Sequence, residues 1–308
     1  MSTGLVKGLG HGFEKALALV KFLEVAEEFS GSGLRVAFID SGCSKHFPLK
    51  DCINLTETSK IDTEGHGAYV HAVLASMLPD AEFILVKVPD PLSDNQLITA
   101  LNEAVKQSPH VINLSITSET PSDASDPASV YVNHVSKKSL VAVAAGNGGP
   151  KMMSIGPPAV AENALTVGAV DLRGRLWKRS SRGPTLDGRW KPDVVAPTGY
   201  KPPTDAKTEV WGTSFAAPIA AAIAAPFVKK IGETSAVARI LQIAASPVNI
   251  SQPTTPALTG LRKASLIRKL STTWPRIFDP RNLAGMGLVD ASKTLQIFKT
   301  LTKPFSPL

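Results

Sequence analysis

The chain has 308 residues, of which 43% are hydrophobic and 19% charged, and its net charge is +7. Those proportions are ordinary for a globular protein and leave room for one large α/β domain or two smaller ones. No uninterrupted apolar run is long enough to span a bilayer: the longest, Ala216 to Val228, is alanine-rich and holds two prolines. Met1 to Gly10 has no signal-peptide pattern, so the expected location is the cytoplasm, with a secreted mature form as the alternative. The two cysteines, Cys43 and Cys52, read as reduced thiols rather than a disulfide framework. No Cys/His cluster has zinc spacing. The basic excess gathers late, at Arg262, Lys263, Arg268, Lys269, Arg276 and Arg281, without a nucleic-acid motif, which disfavours nucleic acid as a partner.

Along the chain, strands alternate with helices. Residues 34–39 read as a buried strand ending at Asp40-Ser41-Gly42. Residues 67–78 read as a helix, 83–88 as a strand, and 95–106 as an amphipathic helix with Leu97, Ile98, Leu101 and Val105 on one side. Val111 to Ser115, Leu140 to Ala145 and Ala164 to Val170 are further apolar strands. This order predicts an α/β fold in a single domain, with a mostly parallel central sheet and helices on both faces. In such folds functional groups collect beyond the carboxyl ends of strands, where Asp40 and Asn147 fall. Leu17 to Phe29 reads as an amphipathic surface helix or an occluding segment. Residues 249–284 read as a Pro-, Thr- and base-rich surface insertion before a last helix, Asp290 to Phe298.

One stretch points to chemistry. Gly212-Thr213-Ser214 leads into the alanine-rich run Ile219 to Ala225. A serine there sits at a helix N-terminus, where unpaired N–H groups and the helix dipole favour developing negative charge. That position suits a nucleophile. The plainer role is a helix cap.

Three more segments join it: Val36-Ala37-Phe38-Ile39-Asp40-Ser41-Gly42, Gly65-His66-Gly67, and Val141-Ala142-Val143-Ala144-Ala145-Gly146-Asn147. With them the chain resembles the subtilisin-like serine proteases, whose order Asp, His, Asn, Ser it repeats. The segments Val111 to Ser115, Thr166 to Asp171, Ser180 to Pro184, Lys191 to Pro197 and Gly285 to Ala291 also match, so the resemblance covers roughly 33–248 and 285–298. It implies a subtilisin-like fold over 33–298, preceded by an N-terminal segment 1–32 and followed by a tail 299–308. It also implies an endopeptidase working through an acyl-enzyme. Ser214 would attack, His66 would act as base and then acid, and Asp40 would hold the imidazole. Asn147 would supply the oxyanion donor. Ser41 would hydrogen-bond Asp40, and the Thr213 hydroxyl would help at the oxyanion. Ser115, Ile116 and Thr117 would form one substrate wall, and Ala144, Ala145 and Gly146 the other, with Gly156 at the pocket base.

Four departures from the family pattern shape the expectations. Ser115-Ile116-Thr117-Ser118 replaces the usual glycines, which predicts a narrowed first specificity pocket and selective processing of particular proteins or leader peptides. Met77 to Glu82 runs straight into a strand where many relatives carry a calcium loop. No cofactor and no strong calcium site are therefore expected, and a weaker calcium site is left open. Only about thirty residues precede the first strand, which suggests folding without a prodomain or prior removal of one. The insertion 249–284 is expected either to recruit an acidic partner or to be a decorated loop. A peptide macrocyclase and an inactive peptide-binding relative are the alternatives to a protease.

Overall fold

The computed structural model describes residues 12–62, 65–204, 206–250 and 279–302. Seven parallel strands form one sheet: β1 (Arg35–Asp40), β2 (Asp51–Asn54), β3 (Glu82–Lys87), β4 (Val111–Leu114), β5 (Leu140–Ala144), β6 (Leu165–Val170) and β7 (Val194–Pro197). Their order is β2-β3-β1-β4-β5-β6-β7. The winding reverses between β1 and β4, which opens a crevice at the carboxyl ends of those two strands. Every residue of β4, β5, β6 and β7 is buried, because helices cover both faces.

On one face pack α3 (Asp94–Lys106) and α4 (Pro127–Val135). The other face carries α2 (His66–Met77), α5 (Thr213–Ile231), α6 (Thr234–Ala244) and α8 (Ala291–Leu301). The short helix α7 (Arg281–Ala284) precedes α8. Helix α5 is buried from Phe215 to Val228. Its alanines have no side chain beyond Cβ, so the backbone lies close to β4–β7 and to α2. Helix α5 carries the longest apolar run, which ends at Lys229 and Lys230. The helix is long and apolar enough to cross a membrane by length and composition alone, but 78% of its most apolar stretch is buried inside the protein. Burial in a protein core demands the same apolar composition as burial in lipid.

The N-terminal expectation needs correction. Leu17 to Phe29 is neither one helix nor a surface feature. A short helix, α1 (Phe13–Leu19), leads into two 3-10 turns. Phe13, Leu17, Val20, Phe22, Val25 and Phe29 all enter the main core. Phe22, Phe29, Phe227 and Phe298 form a chain of ring contacts at 5.3–5.8 Å. The Ala291 N–H donates to the Val20 carbonyl, and the Lys21 ammonium pairs with buried Asp290 at 2.9 Å. This segment therefore buckles the last helix to the body.

The insertion begins and ends at one place: Ser246 and Leu288 exchange two backbone hydrogen bonds of 2.8 Å. Five of its six late basic residues lie outside the described residues; Arg281 stacks its guanidinium 3.3 Å from the Trp190 ring centre.

Candidate active site

Asp40 ends β1 in the crevice and is buried. Its Oδ1 accepts the Ser41 N–H at 2.8 Å and pairs with His66 Nδ1 at 2.8 Å. His66 opens α2, whose N-terminus lies against the end of β1. Gly67 makes that approach possible: a Cβ there would sit 2.3 Å from the Gly42 carbonyl and 2.9 Å from Asp40 Oδ1. Burial alone would depress the His66 pKa. The charge and hydrogen bond of Asp40, reinforced by Asp62 and Asp90, instead leave it raised above its ordinary value.

The expected Ser41–Asp40 hydroxyl bond is the weaker of two. Ser41 Oγ lies 2.7 Å from Asp62 Oδ2 and 3.3 Å from Asp40 Oδ1, and it accepts the Gly67 N–H at 3.1 Å. Ser41 thus ties the two carboxylates and the start of α2 together, while its own carbonyl takes the buried Lys87 ammonium.

Ser214 lies in the first turn of α5 and faces the same crevice. Its hydroxyl donates to the Ser115 carbonyl at 3.0 Å, just beyond β4. In return Ser115 Oγ donates to the Ser214 carbonyl at 2.7 Å. The Phe215 ring packs against His66 with centres 5.3 Å apart. Asn147, just past β5, is held from behind: its Oδ1 accepts the Thr213 N–H at 3.1 Å and the Thr213 hydroxyl at 3.3 Å. The amide NH₂ remains as a donor in the crevice. Thr213 is fully buried and its hydroxyl also accepts the Gly146 N–H at 3.0 Å. The Thr213 hydroxyl, expected to help at the oxyanion, is placed to aim Asn147.

A cleft of about 530 Å³ joins these groups, and Asp40, His66, Ser115, Ile116, Thr117, Gly146, Asn147 and Ser214 line it. Three expected substrate-wall residues lie elsewhere. Ala144 and Ala145 are buried, and the Ala145 N–H is spent on the Val167 carbonyl. Gly156 is no open pocket base, since a Cβ on it would meet the Ser118 and Thr120 carbonyls at 2.4 and 2.5 Å. Thr117 adds side-chain bonds at the same level. Its hydroxyl reaches the Gly156 and Pro157 carbonyls at 3.2 and 3.1 Å, and the Ser118 N–H donates to Pro157 at 2.7 Å. The two walls are stitched together at that level. The Pro157–Pro158 bond is cis.

Several contributors carry no local signal in the sequence. Asp62, Asp90 and Glu119 line the cleft as well. Tyr200 is fully buried and donates its hydroxyl to the Phe215 carbonyl at 2.6 Å, bracing the first turn of α5. Among the described residues, no group of three or more His, Cys, Asp or Glu side chains could hold a metal ion.

A sequence profile of the subtilase family matches residues 31–244. Savinase, a subtilisin of Lederbergia lenta, is 33% identical over 213 residues, which is 64% of this chain and 76% of Savinase. The human membrane-bound transcription factor site-1 protease is 31% identical over 191 residues, 54% of this chain and 18% of that protein. AprX of Bacillus subtilis is 29% identical over 210 residues, 56% of this chain and 47% of AprX. The chain thus spans less than half the length of the last two. Among solved structures, a lanthipeptide protease superposes with a TM-score of 0.69 at 18% identity, covering 96% of this chain and 98% of its own. The prenylagaramide maturation protease PagA gives 0.66 at 20% identity, covering 89% and 97%.

Proposed function

The chain belongs to the subtilase family, and from that premise we propose that it is a serine endopeptidase acting through an acyl-enzyme. The observation that carries this reading is the 2.8 Å Asp40–His66 pair facing, across one cleft, the helix start that bears Ser214. In the resting arrangement Ser214 donates to the Ser115 carbonyl. Rotation about its Cα–Cβ bond would turn the hydroxyl toward the imidazole. His66 then takes the proton as Oγ attacks the substrate carbonyl, and Asp40 stabilises the imidazolium. The Asn147 amide and the Ser214 N–H meet the oxyanion, the latter aided by the helix dipole. His66 returns the proton to the leaving amine, and water repeats the sequence on the acyl-enzyme.

Selective processing of a protein or leader peptide is the substrate reading. The stitched wall at Thr117 supports it, because it leaves less room for a bulky side chain than glycines would. Two of the structures similar in fold are a maturation protease and a lanthipeptide protease. A fluorophosphonate probe should label the full chain and fail to label Ser214→Ala. Mass analysis of a peptide library should then show cleavage with hydrolytic ends. Labelling that persists in Ser214→Ala, or no labelling at all, would overturn the assignment.

A further inference from the structure

The catalytic cleft carries a charge pattern at odds with the rest of the protein. The chain is net positive by seven. Yet among the described residues the lining of the 530 Å³ cleft includes the carboxylates Asp62, Asp90 and Glu119 besides Asp40, and no lysine or arginine. Glu119 is exposed, and it stands over Gly148 beside the loop that carries Asn147: a Cβ on Gly148 would lie 3.5 Å from its carboxyl carbon. Asp90 is also exposed, at the loop after β3. Neither has a salt-bridge partner among the described residues.

Asp62 also lines a second cavity, of about 290 Å³, with the opposite character. Lys45, His46 and Lys207 line it, with Ser44, Thr204 and Thr208 as neutral donors. Ala68 and Tyr69, on the first turns of α2, form its floor beside His66. The chemistry orients the two cavities. The acyl half of a substrate must lie against Ser115–Thr117 and Asn147, where its carbonyl meets the oxyanion donors. The leaving half must depart on the side of His66, which protonates its amine. The stretch of the cleft bounded by Ile116, Thr117, Glu119 and Asp90 is therefore the acyl side, and the basic cavity beyond His66 and Asp62 is the leaving side.

We propose that this cleft is charge-polarised and selects peptides with lysine or arginine on the acyl side of the scissile bond and aspartate or glutamate on the leaving side. The inference rests on the protease reading above and gives it a substrate class. A lysine or arginine side chain is slender along its stem, so it suits the narrowed wall at Thr117, and its cationic end reaches Glu119 or Asp90. An acidic side chain beyond the bond meets Lys45 and Lys207. Exposed pairs of this kind are screened, so the selection weakens as salt rises.

Two measurements test it. In a peptide library at low salt, the wild-type chain should favour the basic-then-acidic order by about tenfold over the reverse order, the product of a few-fold for each exposed pair. Glu119→Gln and Asp90→Asn should each erode the acyl-side preference, and Lys207→Glu should invert the leaving-side preference alone. Cleavage indifferent to charge, or favouring the reverse order, overturns the inference while leaving the protease reading intact. The Ser214→Ala chain provides an arm independent of turnover. It should bind a fluorescent basic-then-acidic peptide more tightly than a peptide of the same composition in reverse order, by a margin that shrinks in 1 M salt. Equal affinities overturn the inference even if the chain proves to have no protease activity.

Discussion

Asp62 couples residue-level electrostatics to rate. It is joined to Ser41 at 2.7 Å, and its charge helps to hold the His66 pKa up. In the proposed mechanism only neutral imidazole takes the Ser214 proton, so a raised His66 pKa shifts the acid limb of the rate profile upward. Replacing Asp62 with Asn removes one negative charge and lowers that pKa. The acid limb of kcat/KM should therefore move to lower pH, with little change on the alkaline plateau; a limb that moves up or stays fixed would contradict this electrostatic role. Asn147 acts differently. On the proposed mechanism Asn147→Ala removes a donor aimed at charge that exists only in the transition state. It should cut kcat about 100- to 1,000-fold with KM nearly unchanged in steady-state kinetics. The groups meeting in the cleft were readable as residues, since Asp40, His66, Asn147 and Ser214 sit at strand or helix ends in a family order. Their supports were not. Thr213 reaches Asn147 across 66 positions of sequence and Ser115 reaches Ser214 across 99, and no local pattern encodes such pairings.

Among the elements, the strands buried on both faces were legible as apolar runs, and β1, β4, β5 and β6 fall within a residue or so of expectation. Strand β2 was not. Asp51-Cys52-Ile53-Asn54 is an edge strand with no buried residue and only two apolar side chains. The segment 13–29 misled for another reason. Its apolar residues are buried around several sides of a broken path, so no single helical period describes them. That burial makes it a stabilising element. The Phe13 ring packs 5.2 Å from that of Tyr200, whose hydroxyl braces the turn carrying Ser214. Phe13→Ala should cost about 3–5 kcal/mol in denaturant unfolding, as buried aromatic truncations do. Because Tyr200 loses its support, the residual folded protein should also turn over more slowly. A stability change within error would return this segment to the surface role that its sequence suggests.

At the scale of the whole molecule, acid stability hinges on a histidine outside the cleft. His71 is fully buried on α2, stacked on Phe38 at 5.0 Å and edge-on to Phe83 and Phe47. Burial pushes its pKa down to about 4 from an ordinary 6.5. The sign follows from proton counting. Between those two values the unfolded chain binds a proton that the folded chain refuses, so stability falls as pH drops through this window. The loss is complete below about pH 4 and amounts to about 3 kcal/mol for a shift of this size. His66 contributes in the opposite sense. Its folded pKa is raised, so its pairing with Asp40 stabilises most below the ordinary histidine pKa and fades as pH rises through the folded value. Replacing His71 with Leu removes the titration while keeping an apolar side chain among the rings. The variant's unfolding free energy should change less between pH 6.5 and 4 than that of the wild type. Parallel pH curves for the two proteins would show that the folded state tolerates a charged His71, and would locate the acid sensitivity among the paired carboxylates instead.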